Sequence, residues 1–77
     1  MIQYSISRER FARDPNPEVW NVEIFPVSYP HPAGAYTMYR AKVNGKETCR
    51  DYWEVDDARN AVGNAFVKNK PIESILN

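Results

Sequence analysis

One cysteine, one histidine and three glycines are spread over these 77 residues, and each scarcity removes a class of function. A lone Cys49 excludes an internal disulfide. One His and one Cys do not supply the three or four ligands of a zinc site. The serines are scattered, and none has a base and an orienting group at the spacing that nucleophilic catalysis needs. Gly34, Gly45 and Gly63 stand too far apart to form a phosphate loop or a dinucleotide fingerprint. No apolar run approaches the roughly 20 residues of a membrane span, and "MIQYSISRER" lacks the charged start and apolar core of a signal peptide. The expectation is a non-enzymatic protein with no cofactor, no metal and no membrane association, located in the cytoplasm.

Net charge is also missing, but the zero sums unlike parts. Glu47, Asp51, Glu54, Asp56 and Asp57 stand against Arg50 alone between positions 47 and 57, while basic residues exceed acidic ones on either side. Such a block reads as a solvated strand end followed by carboxylates at a helix N-terminus, where they are favoured. It also reads as a surface for a basic partner.

What is present is apolar and aromatic: 43% of the residues are hydrophobic and 13% aromatic, too many for intrinsic disorder. A chain of this length is one domain, residues 1–77, and buries only about 60% of its unfolded surface.

Alternation at Ile2, Tyr4 and Ile6 predicts a first strand, and Trp20, Val22 and Ile24 predict a second from about Val19 to Phe25. Pro26 should end the second strand's pairing or mark an edge. Between them, "RERFARDPNPE" reads as a loop with a helical turn near Phe11. Asn44-Gly45 predicts a type I′ hairpin turn that sets Val43 opposite Lys46, Lys42 opposite Glu47, Arg40 opposite Cys49 and Tyr36 opposite Trp53. Cys49, in mid-strand, reads as a small buried apolar residue.

Ala58, Ala61, Val62, Ala65 and Phe66 recur at helical spacing, which predicts an amphipathic helix with Asp56 as N-cap, Lys68 and Lys70 at its end, and Pro71 as its stop. Gly63 offers a place where another backbone could approach, or a neutral surface position. Ile72, Ile75 and Leu76 read as a docked tail. The fold class is α+β: a small antiparallel β-sheet of about four strands with one C-terminal amphipathic helix packed on one face.

The segment "SYPHPAGAYTMYR" holds the only histidine, His31, between Pro30 and Pro32. Its prolines suit a polyproline-like path, and Gly34 turns the chain back into a strand at Tyr36. It reads as a binding arm presenting Tyr29, His31 and Tyr36, or as a passive stiff connection.

In layout, "YRAKVNGKETCRDYWEVDDARNAV" resembles the sheet-plus-helix DNA-binding domains of plant AP2 factors and the arm-binding domains of phage integrases. That resemblance implies DNA contact through Arg40, Lys42 and Arg50, whereas the acidic balance of the stretch opposes phosphate binding. By size and type the chain looks like phage-encoded inhibitors of bacterial defence, the anti-CRISPR proteins among them. That resemblance implies a protein partner, namely a basic surface of a nucleic-acid-binding complex. Glu47, Asp51, Glu54, Asp56 and Asp57 would then supply charge, with Tyr29, Tyr36, Tyr39 and Tyr52 as anchors. Trp53 reads as a further anchor candidate or, in preference, as a core residue. The sequence leaves the oligomeric state open.

Overall fold

A computed structural model describes residues 1–71. The burial of the Cys49 side chain and the docking of the tail through Ile72, Ile75 and Leu76 lie outside the described residues. Among the described residues four strands, β1 (Ile2–Arg8), β2 (Glu18–Tyr29), β3 (Tyr36–Val43) and β4 (Lys46–Tyr52), precede one helix, α1 (Val55–Val67). The strands form one antiparallel sheet in the order β1-β2-β3-β4, so the fold is α+β. Neighbours in sequence are neighbours in the sheet, as short connections favour.

Burial follows the alternation of each strand. Trp20, Val22 and Ile24 of β2 and Ala41 and Val43 of β3 are buried together with Ala58, Val62, Ala65 and Phe66 of α1. Ile2, Tyr4, Ile6, Tyr39, Tyr52 and Val55 pack against this cluster while remaining partly exposed. Trp20 and Phe66 meet edge to face with ring centroids 5.1 Å apart, a geometry aromatic quadrupoles prefer.

Several boundaries differ from the sequence reading. β2 does not stop near Phe25: it runs through Pro26 and pairs with β3 as far as Tyr29↔Tyr36. Proline is tolerated because Ile2↔Ile24 is the last β1–β2 pair, so beyond it β2 has a free edge where no N–H is required. The β2–β3 hairpin therefore projects past the rest of the sheet, and the molecule measures 54 × 21 × 19 Å.

The turn at Asn44-Gly45 forms with φ of 50° and 83°, as a type I′ turn needs, and Lys42↔Glu47 and Val43↔Lys46 pair as expected. Farther along, the expected register fails. Between Lys42↔Glu47 and Arg40↔Asp51, β3 advances two positions and β4 four, so Arg40 faces Asp51 and not Cys49, and the last pair is Tyr39↔Tyr52. The Thr48 hydroxyl, buried, donates to the Arg50 carbonyl at 3.2 Å inside this bulge. An even shift preserves the inward and outward assignment of every later side chain.

The helix starts two residues earlier than expected, at Val55. Glu54 is the N-cap, without a side-chain capping bond, and Asp56 and Asp57 lie inside the first turn. Asn69, not Pro71, ends it: φ is 57°, Asn69 N–H donates to Phe66 O at 3.1 Å and Lys70 N–H to Ala65 O at 2.9 Å, the paired bonds of a Schellman motif. A Cβ placed on Gly63 would meet nothing within 4 Å, so among the described residues no other backbone approaches there.

The loop from 9 to 17 is organised by Asp14. Its carboxylate accepts from Asn16 N–H at 2.9 Å, Arg10 N–H at 3.1 Å and Arg10 Nε at 3.3 Å. Those bonds, the Asn16 one foremost, hold the Asp14 carboxyl below the usual carboxylate range.

Candidate functional site

The sheet surface opposite the core carries the cross-strand neighbours Glu23↔Lys42, Phe25↔Arg40 and Tyr29↔Tyr36, continued on β4 by Glu47 and Asp51. At the projecting end of the β2–β3 hairpin, aromatic rings collect. Tyr29 and Tyr36 stack at 5.4 Å with planes 20° apart, which their pairing across β2 and β3 produces directly. His31 meets the edge of Tyr36 at 6.2 Å, and Trp53 leans on it at 5.7 Å. Trp53 is 65% exposed and Tyr36 38%, so Trp53 is not in the core. The chain leaves β4 just before Trp53, where no further strand partner holds the indole over the cluster that α1 contributes to.

The expected polyproline-like arm is a tight turn. Gly34 N–H donates to the His31 carbonyl at 2.9 Å, with Pro32 at the second position, where its fixed φ suits a β-turn, and Gly34 at φ 126°. His31 Nδ1 accepts from Ala33 N–H at 3.1 Å, which orients the exposed imidazole toward Tyr36.

Beneath the rings lies a polar anchor. Arg40 donates to both carboxylate oxygens of Asp51, through Nε at 2.7 Å and Nη2 at 3.1 Å, and Nη2 also donates to the Tyr29 hydroxyl at 3.1 Å. The Tyr29 hydroxyl in turn donates to Asp51. Glu47 adds a looser contact to Arg40 at 3.5 Å. The Arg40 fork depresses the Asp51 pKa below its ordinary value, and the hydrogen bond from Tyr29 to that carboxylate raises the phenol's pKa. Arg40, held chiefly by Asp51, is shifted further upward. The anchor fixes the base of the aromatic cluster.

The ten sequence-predicted site residues therefore divide by location. Tyr29, His31 and Tyr36 form the tip, joined by Trp53, with Asp51 and Glu47 bound to Arg40 below it. Tyr39 and Tyr52 pair with each other and pack on the core cluster. Glu54, Asp56 and Asp57 are exposed at the start of α1, directly after Trp53 in sequence. Arg40 as the partner of Asp51 escaped sequence reasoning because the bulge sets that pairing, and nothing in the residue pattern announces a shift between Glu47 and Asp51.

Among the described residues, no group of three or more His, Cys, Asp or Glu side chains is placed to hold a metal ion, and no helix is long and apolar enough to cross a membrane. Comparison of the chain with protein-family models, curated proteins and solved structures finds no match.

Proposed function

We propose that this protein is a non-enzymatic binding module that occupies a basic surface of a nucleic-acid-handling complex, in the manner of small phage-encoded inhibitors of host defence. The observation that carries the reading is the exposed Tyr36–Trp53 pair, held over the Arg40–Asp51 anchor and followed by the exposed carboxylates Glu54, Asp56 and Asp57. Tyr and Trp on a preordered support lose little side-chain freedom on binding and are enriched among interface hot spots. Carboxylates beside them match Arg and Lys that would otherwise meet phosphate.

In this reading α1 covers the core side of the sheet and leaves the opposite side and the hairpin tip to the partner. The tip is the anchor and the helix start the charged rim. DNA binding by the sheet is the poorer fit, because Arg40, central among its strand cations, is already bound by Asp51 and Glu47. A phosphate would have to compete with two carboxylates for it.

The test pairs purified RNA-guided nuclease complexes with the wild type, Trp53→Ala and the double variant Glu54→Lys/Asp57→Lys, and measures binding and DNA loading across a salt series. Wild-type protein should bind such a complex and block its DNA loading. Trp53→Ala should weaken that binding, and the charge reversal should slow association most strongly at low salt. Gel shifts on duplex and single-stranded DNA complete the comparison. DNA binding by the protein alone that tightens on charge reversal, with no complex bound, would replace this reading with the DNA-binding one.

A further inference from the structure

We infer that β1 is a self-association edge, through which a second copy of this chain adds its own β1 in antiparallel register and continues the sheet across a two-fold axis. The free edges of the sheet are not equivalent. β4 is interrupted by a bulge, and the free stretch of β2 beyond Ile24 carries Pro26. Bulges and prolines are the devices that stop edge strands from pairing with other chains. β1 has neither: its seven residues, IQYSISR, pair with β2 in one unbroken register, and among the described residues its other side has no strand neighbour.

The cover over β1 is also thin. α1 lies against β3, β4 and β2, and it meets β1 through side chains, with Arg59 over the Tyr4 ring at 5.0 Å and Arg8 over the Phe66 ring at 4.1 Å. Ile2, Tyr4 and Ile6 consequently stay half-buried, while their counterparts Trp20, Val22 and Ile24 on β2 are fully buried.

Backbone direction selects the register. Asn21 spends both main-chain groups toward β3, its N–H on Asn44 Oδ1 and its carbonyl on Asn44 N–H, each at 2.9 Å. Ser5↔Asn21 is therefore a non-hydrogen-bonded pair of the β1–β2 ladder, and the N–H and C=O of Ser5 point away from β2. By alternation those of Gln3 and Ser7 do the same. An antiparallel copy centred on Ser5 pairs Ser5 with Ser5 and Gln3 with Ser7, which satisfies every outward group from within the strand. Shifting the centre to Tyr4 or Ile6 leaves Ser7 or Gln3 to find a partner outside β1.

The chosen register also matches side chains. Tyr4 falls opposite Ile6, an aromatic and β-branched pair, and Arg8 falls opposite Ile2, so no like charges meet. A two-fold perpendicular to the sheet keeps the core sides of both copies together and leaves both aromatic tips free. One strand pair with its flanking side chains lies below the roughly 1,200–2,000 Å² of standard interfaces. The dimer should accordingly be weak, with a Kd on the order of 10 µM.

Sedimentation equilibrium of the whole chain from about 1 to 500 µM tests the size, since a Kd on the order of 10 µM spans the transition. The wild type should pass from monomer to dimer. Ser5→Lys and Ser5→Glu each place like charges opposite one another across the axis at an exposed position, so each should stay monomeric, and an equimolar mixture of the two should recover the dimer. Hydrogen exchange tests the edge without any substitution: Ser5 N–H should slow by about tenfold once about nine-tenths of the chain is dimeric, because it exchanges from the monomer. Tyr4 and Ile6 amides, directed at β2, should not respond. A wild type that stays monomeric throughout overturns the inference. So does a dimer whose Ser5 amide is indifferent to concentration, or a mixture of charge variants that fails to associate.

Discussion

Arg40 grips Asp51 across β3 and β4 with two bonds of 2.7 and 3.1 Å, although an unshifted hairpin would have set Arg40 against Cys49. The bulge in β4 thus supplies the base on which Tyr29 is hydrogen-bonded and Tyr36 and Trp53 are stacked. Both side chains are largely shielded, at 29% and 12% exposed, so the pair is worth more than an open surface ion pair. Removing one partner strands the other.

Asp51→Ala should accordingly lower the unfolding free energy by about 1–2 kcal/mol, since hydrogen bonds to charged groups contribute about 1.5–3 kcal/mol, Arg40 and Tyr29 lose theirs together, and the partial exposure of Arg40 screens part of the loss. Urea denaturation of the wild type and the variant measures it. Asp51→Asn, which keeps one acceptor oxygen, should cost less.

Asp51 and the Tyr29 hydroxyl bonded to it set a pH dependence at opposite ends. Asp51 has a folded pKa below its ordinary 3.8, so its contribution is complete above that value and is lost as pH falls through the lower folded value. The Tyr29 phenol has a folded pKa above its ordinary 10.0, so its contribution is complete below 10 and is lost as pH rises through the higher folded value. Asp14 adds to the acid limb with the same sign as Asp51. Denaturation midpoints across pH 2–12 should fall at both extremes. Asp51→Asn should flatten the acid limb, and Tyr29→Phe should flatten the alkaline one.

How far the sequence carries depends on the range of the interaction. Strand faces at Ile2, Tyr4 and Ile6 and at Trp20, Val22 and Ile24 were legible because period-2 burial repeats within each segment, and the α1 stripe was legible for the same reason at its own period. The Asn44-Gly45 turn was legible because positive φ restricts residue type locally. The β4 bulge was not, because a register is chosen by the summed pairing of both strands and an even slip leaves the burial pattern unchanged. Tyr36 and Trp53 illustrate the point: the pairing expected to join them is absent, yet their rings meet at 5.7 Å from beyond the end of the ladder. Asn69 could have been read as a helix stop, being one of the few non-glycine residues that tolerate a left-handed conformation.

Asn44 acts as an extra rung of the sheet as well as a turn residue. Its Oδ1 accepts from Asn21 N–H at 2.9 Å and its Nδ2 donates to the Val19 carbonyl at 3.4 Å, so the side chain ties the β3–β4 turn to β2. Asn44→Gly keeps the positive φ and deletes the tie; it should cost about 1 kcal/mol, the usual worth of a hydrogen bond. Asn44→Asp keeps the stronger of the two contacts and should cost less. Amide exchange at Asn21 should accelerate in the glycine variant and not in the aspartate one.

Asn69 carries the Schellman end of α1 at φ 57°. Glycine adopts that conformation without a Cβ penalty, whereas alanine pays about 1–2 kcal/mol for it. Asn69→Gly should hold or raise the thermal midpoint and Asn69→Ala should lower it. A midpoint unmoved by alanine would mean that the helix end is frayed in solution.

The two tryptophans provide the sharpest contrast, because one chemical group occupies opposite environments in the same small domain. Trp20 is 2% exposed and stacks edge-on against Phe66 in the core, whereas Trp53 is 65% exposed and touches Tyr36 at the hairpin tip. Truncating a buried Trp costs about 3–5 kcal/mol, a large share of the 5–15 kcal/mol typical of a whole domain. Trp20→Ala should therefore lower the unfolding free energy by about 3–5 kcal/mol and the thermal midpoint with it, and Trp20→Phe should retain the fold with a smaller drop in midpoint. Trp53→Ala should move the unfolding free energy by no more than about 0.5 kcal/mol, the range of surface substitutions. Fluorescence provides a second, independent readout: in the Trp20→Phe protein the remaining emission should be red-shifted and readily quenched by iodide, and in Trp53→Phe it should be blue-shifted and protected. Equal quenching of the two would place Trp53 in the core and remove the aromatic anchor from the proposed binding tip.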